Sequence, residues 1–206
     1  MWCCVVHFAR VLSDKTLNNM TYKQIYNTPS NFSDMIMISD GKYLTGLYFI
    51  NSTTLTKFDL QTLEEKNLPI FEQTKKWLDI YFTGKDPEFR PKLKIEKSTQ
   101  FRDCVVSLIS SITYGKTKTY GDLANIIATN KHIEKMSCQA VGNAVGWNPI
   151  CIIIPCHRVV GKNGNLTGYS GGMENKIQLL KLEHNDMTKF FIQRKQNLWI
   201  DANGVI

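Results

Sequence analysis

The chain has 206 residues, 43% of them hydrophobic and 21% charged, which suits one large or two small globular domains and excludes long disorder. Twenty-five Lys and Arg side chains against eighteen Asp and Glu give a formal charge of +7, an excess compatible with a polyanionic partner such as nucleic acid, although many basic proteins bind none. No apolar run approaches the length of a membrane span, so no membrane partner is expected.

The six cysteines lack the spacing of a disulfide framework, so we expect a reducing compartment: the cytoplasm, or the nucleus if the protein is eukaryotic. The apolar stretch 2–12 is interrupted by His7 and Arg10 and is a poor signal peptide. Cys3, Cys4 and His7 suggest a zinc site only weakly, because adjacent cysteines rarely ligate one ion and no second pair completes the set. No metal and no cofactor are expected.

The N-terminal third has the pattern of strands and turns. Residues 35–38 and 43–50 are largely apolar and flank Asp40-Gly41, a dipeptide typical of hairpin turns. Residues 70–82 predict a helix with its aromatic side chains clustered on one side. A polar connection follows, and we place a boundary there between an N-terminal α/β domain (1–94) and a C-terminal helical domain (95–206).

Beyond this boundary the apolar residues recur with helical spacing. One helix is predicted over 101–112 and stopped by Tyr114-Gly115, and a second opens at Thr119, where Asp122 completes a capping box. A polar break leads to a third helix at about 135–145. Helix, short connection, helix is the order found in helix-turn-helix proteins.

The third helix has a face almost without side chains, formed by Cys138, Ala140, Gly142, Asn143, Ala144 and Gly146. Glycine costs a helix about 1 kcal/mol relative to alanine, so its use here needs a reason. Two reasons stay open: close packing against another helix, or close approach to a nucleic-acid groove in which bulky side chains do not fit.

Cys156 is the strongest candidate for chemistry. Residues 152–154 are β-branched and predict a buried strand that stops at Pro155, directly before the cysteine. His157 and Arg158 follow, and an imidazole or guanidinium can lower the pKa of a thiol and make it nucleophilic. An isolated cysteine is more often a packed structural residue, but these neighbours favour a reactive one.

An ordered series of motifs carries a family resemblance: Asn148-Pro149, Ile-Ile-Ile-Pro-Cys-His-Arg-Val-Val at 152–160, Tyr169-Ser170-Gly171-Gly172, and Leu-Leu-Lys-Leu-Glu at 179–183. The series resembles the O6-alkylguanine-DNA alkyltransferases, strongly over 101–183 and loosely in the N-terminal half. The resemblance implies an α+β fold: an N-terminal RNase H-like α/β domain with an antiparallel hairpin, and a C-terminal helical domain that is winged-helix or helix-turn-helix-like and binds DNA.

The activity implied by the resemblance is transfer of an alkyl group from O6 of guanine to Cys156, after the damaged nucleotide is flipped out of the duplex. His157, through a water, would be the base for the thiol, with Glu183 orienting the histidine. Asn148 would brace the site from the preceding turn, and Tyr120 would donate a proton or hydrogen bond to guanine N3.

The resemblance also implies a substrate pocket. Backbone N–H groups of the loop at Tyr169, Ser170 and Gly171 would reach O6. Backbone carbonyls of Cys156 and Val159 would read the exocyclic amine of the base.

On the DNA face this sequence departs from the family pattern. An arginine usually precedes Ala-Val-Gly in the recognition helix and fills the gap left by the flipped base; here Gln139 stands there, with Ala140 and Gly142 after it. Glutamine can still donate to the orphaned base, but it has no charge and a shorter reach. Arg158 is expected under the site, and Lys176 at the edge of the pocket.

These expectations describe a DNA repair enzyme, a methylated-DNA–[protein]-cysteine S-methyltransferase that acts once, because the thioether at Cys156 is not easily reversed. Its partner would be double-stranded DNA containing alkylated guanine, with O4 of thymine a second candidate position, and a monomer is expected. One rival is a non-catalytic reader of alkylated guanine, in which the cysteine is commonly replaced by tryptophan. The other is a cysteine hydrolase, for which no oxyanion loop is visible.

Overall fold

The computed structural model of the chain describes residues 20–57, 59–193 and 199–201. Cys3, Cys4 and His7, considered above for zinc, lie outside these residues. Within the described ranges, no group of three or more His, Cys, Asp or Glu side chains is placed to hold a metal ion. None of the helices described there is long and apolar enough to cross a membrane.

The N-terminal part is built on a four-stranded sheet. Its strands are β1 (Tyr22–Tyr26), β2 (Met35–Ser39), β3 (Leu44–Phe49) and β4 (Glu64–Glu65), arranged in the order β3-β2-β1-β4. The predicted hairpin is confirmed, because β2 and β3 pair antiparallel. Gly41 takes φ 98° in the turn, which glycine adopts without strain, and the Asp40 carboxylate accepts a hydrogen bond from the Tyr43 N–H at 2.8 Å.

Helix α1 (Pro69–Phe82) packs against β2 and β3, as the aromatic pattern over 70–82 predicts. Proline at its first position suits a helix start, since the missing N–H would have had no partner within the helix. The buried side of α1 includes Phe71, Leu78 and Tyr81, each with no exposed surface. The helix therefore carries the Tyr81 side chain into the interior of the protein.

The edge of β3 is covered by two later segments of the chain. Residues 92–94 bond to the backbone of Leu44, with N–H···O distances of 2.9 and 3.0 Å. Further along, the Leu47 N–H donates to the Pro149 carbonyl (2.9 Å) and the Cys151 N–H donates to the Leu47 carbonyl (2.8 Å). This pairing satisfies backbone groups that an open edge would leave free, and it ties the segment leading to the candidate cysteine to the N-terminal sheet.

Among the described residues of the C-terminal half are the α-helices α2 (Gln100–Ser110), α3 (Tyr120–Asn130), α4 (Cys138–Gly146) and α5 (Met173–Leu182). The predicted capping box is confirmed, since the Thr119 hydroxyl accepts from the Asp122 N–H (3.0 Å) and the Asp122 carboxylate accepts from the Thr119 N–H (2.7 Å). α2 ends before the predicted stop, with Ser111 as the residue after its last turn and the Ser111 hydroxyl donating to the Leu108 carbonyl at 2.8 Å. α3 packs against α4, so the predicted helix-turn-helix arrangement is present.

Two short sheets complete the described structure. β5 (Lys118–Thr119) pairs in parallel with β6 (Val159–Val160), and β7 (Phe191–Gln193) pairs antiparallel with β8 (Trp199–Asp201). One hydrophobic core includes residues from both halves of the chain, such as Leu78, Val105 and Ile153. The interior is therefore continuous across the connection near residue 94, and the division at 94/95 stays a prediction.

The prediction of a strand over 152–154 is wrong. These residues form a tight turn in which the Ile153 N–H donates to the Cys151 carbonyl (2.8 Å) and the Ile154 N–H donates to the Ile150 carbonyl (3.1 Å). Ile152 has φ 67°, a left-handed conformation that β-branched residues rarely adopt. The three isoleucines are buried, so their apolar character reflects packing of a turn into the core rather than strand pairing.

Candidate active site

Asn148 holds the turn that carries Cys156. Its amide nitrogen donates to the carbonyls of Ile150 (3.3 Å) and Ile154 (2.8 Å), and its Oδ1 accepts from the Ile150 N–H (3.0 Å). The same nitrogen lies 3.0 Å from Cys156 Sγ and donates to it. A buried amide thus replaces the strand partners that this segment lacks, and it sustains the unusual φ of Ile152.

Cys156 begins a 3₁₀ turn, Cys156–Arg158, and the residue is only 3% exposed. Its pKa is lowered from the ordinary thiol value by hydrogen bonding to the neighbouring Cys151 thiol, by the Asn148 amide and by the positive charge of Lys176, which together outweigh the effect of burial. The site therefore makes ionisation easier than for an ordinary thiol, at a sulfur that is almost wholly shielded from water.

His157 is fully buried beside the cysteine. Its Nε2 lies 2.8 Å from Glu183 Oε1, while its Nδ1 is buried without a hydrogen-bond partner in the described part of the chain. Burial lowers the pKa of His157 despite the nearby carboxylate, so the neutral ring is favoured. We assign its proton to Nε2 from the contact with the carboxylate, which leaves the Nδ1 lone pair free to accept a proton.

Glu183 is the centre of a buried polar network. Arg158 donates to both of its oxygens, from Nε to Oε2 at 2.9 Å and from Nη2 to Oε1 at 2.8 Å. The Tyr81 hydroxyl donates to Oε1 at 2.7 Å, and the Gly115 N–H donates to Oε2 at 3.2 Å. Burial acts to raise the pKa of Glu183, but His157 and Arg158 hold it far below its ordinary value. Arg158 lies under the site, as expected.

Two tyrosines predicted for the pocket lie near the cysteine. Tyr120, the first residue of α3, and Tyr169 are both within electrostatic reach of Cys156. Burial raises the pKa of each phenol, so both keep their protons and can act as donors. The Tyr169 ring also packs edge-on against His157, with ring centroids 6.5 Å apart.

The loop 169–172 is packed between the cysteine-bearing turn and the N-terminal sheet. A Cβ on Gly171 would collide with the ring of Phe49, so packing requires glycine at this position. Ser170 places its Oγ 3.9 Å from Cys151 Sγ, which brings the loop against the turn. The predicted pocket loop therefore adjoins the predicted nucleophile.

Lys176, expected at the edge of the pocket, is fully buried. Its Nζ donates to the carbonyls of Val159 (2.7 Å) and Thr167 (3.2 Å). Burial lowers the pKa of Lys176 to about 8, so at neutral pH most molecules keep the positive charge near Cys156. The Val159 carbonyl, predicted to read the base, is thus already an acceptor for Lys176.

The predicted DNA-facing residues lie on α4, apart from the buried network. Gln139 is exposed, and Ala140 and Gly142 are partly exposed. A Cβ on Gly142 would approach the Tyr120 ring at an ordinary 3.7 Å, and one on Gly146 would meet nothing within 4 Å. Packing against neighbouring groups therefore does not require glycine at either position, and close approach to a nucleic-acid groove stays a prediction.

Two neighbours of the site, Tyr81 and Cys151, escape the sequence reasoning. Tyr81 belongs to an aromatic stripe whose pattern indicates core packing, and it is separated from its partner Glu183 by 102 positions. Cys151 precedes the predicted strand, and its approach to Cys156 depends on the turn that replaces that strand. A hydroxyl-bearing ring on an otherwise apolar helix face was the one available signal for Tyr81.

The chemistry that this arrangement supports is displacement by sulfur. A Cys156 thiol of lowered pKa, a neutral His157 and an orienting Glu183 provide nucleophile, base and orienter. The protonated phenols of Tyr120 and Tyr169 can donate hydrogen bonds to a leaving group.

Sequence models of two domains match the chain. The 6-O-methylguanine DNA methyltransferase ribonuclease-like domain matches residues 21–95, and the 6-O-methylguanine DNA methyltransferase DNA binding domain matches residues 100–185. The chain belongs to the 6-O-methylguanine DNA methyltransferase family. Membership confirms the resemblance, and with it the mixed α+β fold of an N-terminal ribonuclease-like domain and a C-terminal helical domain.

The alignments with individual members of the family span most of each relative's length. The methylated-DNA–protein-cysteine methyltransferase of Methanosarcina mazei is 38% identical to it, over 74% of this chain and 92% of the relative. The inducible enzyme of that name from Bacillus subtilis is 37% identical, over 76% and 92%. The structure of Mycobacterium tuberculosis O6-methylguanine methyltransferase aligns with a TM-score of 0.67 at 32% identity, covering 80% of this chain and 93% of that one. The structure of the M. tuberculosis protein in complex with DNA aligns with a TM-score of 0.65 at 33% identity, covering 79% of this chain and 92% of that one.

Proposed function

We propose that this protein is a DNA repair enzyme that transfers a methyl or larger alkyl group from O6 of guanine to Cys156, once per molecule. The observation that carries the proposal is the buried Cys156 sulfur, which accepts from Asn148, together with the hydrogen-bonded His157–Glu183 pair, whose histidine is the next residue of the chain. The relatives named methylated-DNA–protein-cysteine methyltransferases support the same activity. Double-stranded DNA containing alkylated guanine is the proposed partner, and O4-alkylthymine is a second candidate lesion.

The transfer begins with loss of the thiol proton from Cys156 to Nδ1 of His157, relayed by a water. The thiolate then attacks the alkyl carbon, so that a C–S bond forms while the bond from that carbon to O6 breaks. The electron pair of the broken bond stays with guanine, and Tyr120 donates a proton to N3 to neutralise it; the proton that His157 took from the thiol then restores the Tyr120 phenol. Because the product is a thioether, the protein is consumed.

The remaining contacts to the base follow from the pocket. Backbone N–H groups at Tyr169, Ser170 and Gly171 bind O6, and the carbonyls of Cys156 and Val159 accept from the exocyclic amine. The target atom lies inside the duplex, so the nucleotide must be extruded before it can reach a buried sulfur. A lesion that weakens pairing lowers the cost of extrusion and contributes to selectivity.

α4 is the proposed DNA-binding helix. Gln139 reaches toward the base left without a partner, while Ala140 and Gly142 allow the helix backbone to come close to the minor groove. The formal charge of +7 supports binding to phosphates. We further propose that the protein acts as a monomer, in the cytoplasm or in a eukaryotic nucleus, and that its two domains divide near residue 94.

The proposal is tested with Cys156→Ala and a duplex carrying one O6-methylguanine. We expect the variant to bind the duplex as the wild type does and to remove no methyl group. A wild type that binds the lesion but removes nothing would be a reader instead. Repeated turnover on an ester or amide would indicate a cysteine hydrolase.

A further inference from the structure

Tyr81 connects the N-terminal domain to the buried polar network. Its hydroxyl donates to Glu183 Oε1 at 2.7 Å and lies 3.3 Å from His157 Nε2, and all three side chains are fully buried. The residue comes from α1, whereas Glu183 directly follows α5. The contact is therefore made only when the two halves of the chain are packed together.

The ring of Tyr81 does not by itself account for a tyrosine here. It stacks on Trp77, with centroids 5.2 Å apart and an interplanar angle of 11°, and it packs edge-on against Tyr114. A phenylalanine ring would make the same contacts. Burying the additional hydroxyl costs free energy unless it is hydrogen-bonded, so the bond to Glu183 is the feature that distinguishes tyrosine from phenylalanine at this position.

We propose that Tyr81 is a positioning residue for alkyl transfer: its hydroxyl fixes the Glu183 carboxylate and, through that carboxylate, the orientation and protonation of His157. The consequence for the reaction rests on the proposed function, whereas the contact itself does not. The N-terminal domain thereby contributes to the chemistry of the site as well as to its support.

The direction of the effect follows from the charges around the pair. The groups that face His157 and Glu183 come from five parts of the structure: Arg158, Lys176, Tyr114, Tyr81 and Tyr169. The Tyr81 O–H takes up part of the negative charge on Oε1 and so weakens its attraction for an imidazolium. Without that donor the carboxylate attracts the proton more strongly, the pKa of His157 rises, and fewer molecules hold the neutral base.

The test is Tyr81→Phe, which removes the hydroxyl and keeps the ring. The first readout is an NMR titration of the His157 imidazole in the free protein; the second is the rate of a single methyl transfer to Cys156 as a function of pH. We expect the imidazole midpoint and the acid limb of the rate profile to move up by about one pH unit, which lowers the rate on that limb about tenfold.

Tyr114→Phe is the matched control. The Tyr114 ring lies 6.1 Å from that of Tyr81, but its hydroxyl donates to the backbone carbonyl of Leu182 at 3.2 Å instead of the carboxylate. Because this hydroxyl does not bond to the pair, we expect the variant to move both pH midpoints far less than Tyr81→Phe does, even if its melting temperature falls.

An unchanged or lowered His157 midpoint in Tyr81→Phe would overturn the inference, because loss of stability alone is what a purely structural role predicts. Should that variant not fold, the wild type supplies the test: a slowly exchanging Tyr81 hydroxyl proton with a nuclear Overhauser effect to His157 supports the inference, and its absence overturns it. Both NMR readouts need no DNA. Failure of the proposed function would show separately, as a wild type that transfers nothing.

Discussion

Glu183 is the residue on which the buried polar groups of the site converge. It accepts from Tyr81, Arg158 and the Gly115 backbone, and it adjoins His157 Nε2. Glu183 therefore has two roles: it neutralises the buried guanidinium of Arg158, and it selects the tautomer of His157. Removing one partner of a buried ion pair typically costs 3–5 kcal/mol, since the other charge remains without compensation.

We predict that Glu183→Gln destabilises the protein by about 3–5 kcal/mol at neutral pH. Glu174→Gln, on an exposed position of α5, removes the same formal charge and is expected to change stability by less than about 0.5 kcal/mol. Denaturant unfolding of the two variants measures the difference. Equal stabilities would show that the carboxylate does not compensate Arg158.

The same residues predict how stability depends on pH. The pKa of His157 is below its usual value in the folded protein, so its contribution is present above about pH 6.5 and is lost as pH falls. The pKa of Glu183 is also held down, so a second loss follows below about pH 4.3. In wild type the free energy of unfolding should therefore decrease in acid, and Glu183→Gln should lack the second decrease.

Gln139 is exposed on α4, at the position where the family resemblance implies an arginine. We predict that Gln139→Arg binds duplex DNA equally or up to about tenfold more tightly, because a hydrogen bond from a charged donor contributes about 1.5 kcal/mol or more. Gln61→Arg adds the same charge at an exposed position of the N-terminal domain and should have a smaller effect. A loss of affinity at fixed salt in Gln139→Arg would contradict the placement of Gln139 against the orphaned base.

The candidate catalytic residues were predictable because an ordered series of short motifs over 148–183 carries them, and the structure joins Asn148 to Cys156 and His157 to Glu183. The contact of Tyr81 with the site was not predictable, because it joins distant parts of the chain. Whether a tyrosine in an aromatic stripe places its hydroxyl in a buried polar network depends on tertiary contacts, and the sequence alone does not reveal these.

At the scale of elements, short-range patterns were the reliable ones. The Asp40-Gly41 hairpin and the Thr119–Asp122 capping box form as predicted, because each is set by residues next to one another. The strand predicted from the three isoleucines after Cys151 was wrong because residues outside that run determine its conformation. The β propensity of the isoleucines is overridden by the Asn148 amide and by attachment to Leu47, which together bend the segment into a turn.

α4 gives a prediction that separates folding from binding. Gly142→Ala should stabilise the protein by up to about 1 kcal/mol, because alanine favours the helix and its Cβ meets only ordinary contacts. If the helix backbone approaches DNA closely, the added methyl should weaken binding by about 1 kcal/mol or more. Thermal unfolding and DNA titration measure the two effects.

Asn125→Ala, at an exposed position of α3, is the control for helix stabilisation without a change on α4. It should raise stability in the same way and leave the DNA affinity close to that of wild type. Unaltered binding by Gly142→Ala would show that this glycine does not face the groove.

At the scale of the whole molecule, the two domains are joined by more than their connection. The backbone of β3 bonds to residues 149–151, α1 supplies Tyr81, and one core passes through both halves. The two-domain arrangement was predictable from the change in periodicity near residue 94. The continuity of the interior was not, because it depends on which surfaces the two halves present to each other.

The excess of positive charge predicts a salt-dependent association with DNA. If the protein neutralises as few as about two phosphates, its affinity should fall at least about tenfold between roughly 50 and 200 mM salt. Titration of a duplex at several salt concentrations measures the slope. An affinity that does not change over this range would mean that the basic residues do not contact phosphates.

The central claim is that Cys156 receives the alkyl group and keeps it. Mixing the protein with excess duplex containing O6-methylguanine, followed by intact and peptide mass spectrometry, tests this most directly. We expect a mass gain of one methyl group per molecule, located on the peptide that contains Cys156, and no repair beyond one equivalent. An unmodified Cys156 after repair, or repair of many duplexes by one molecule, would contradict the account.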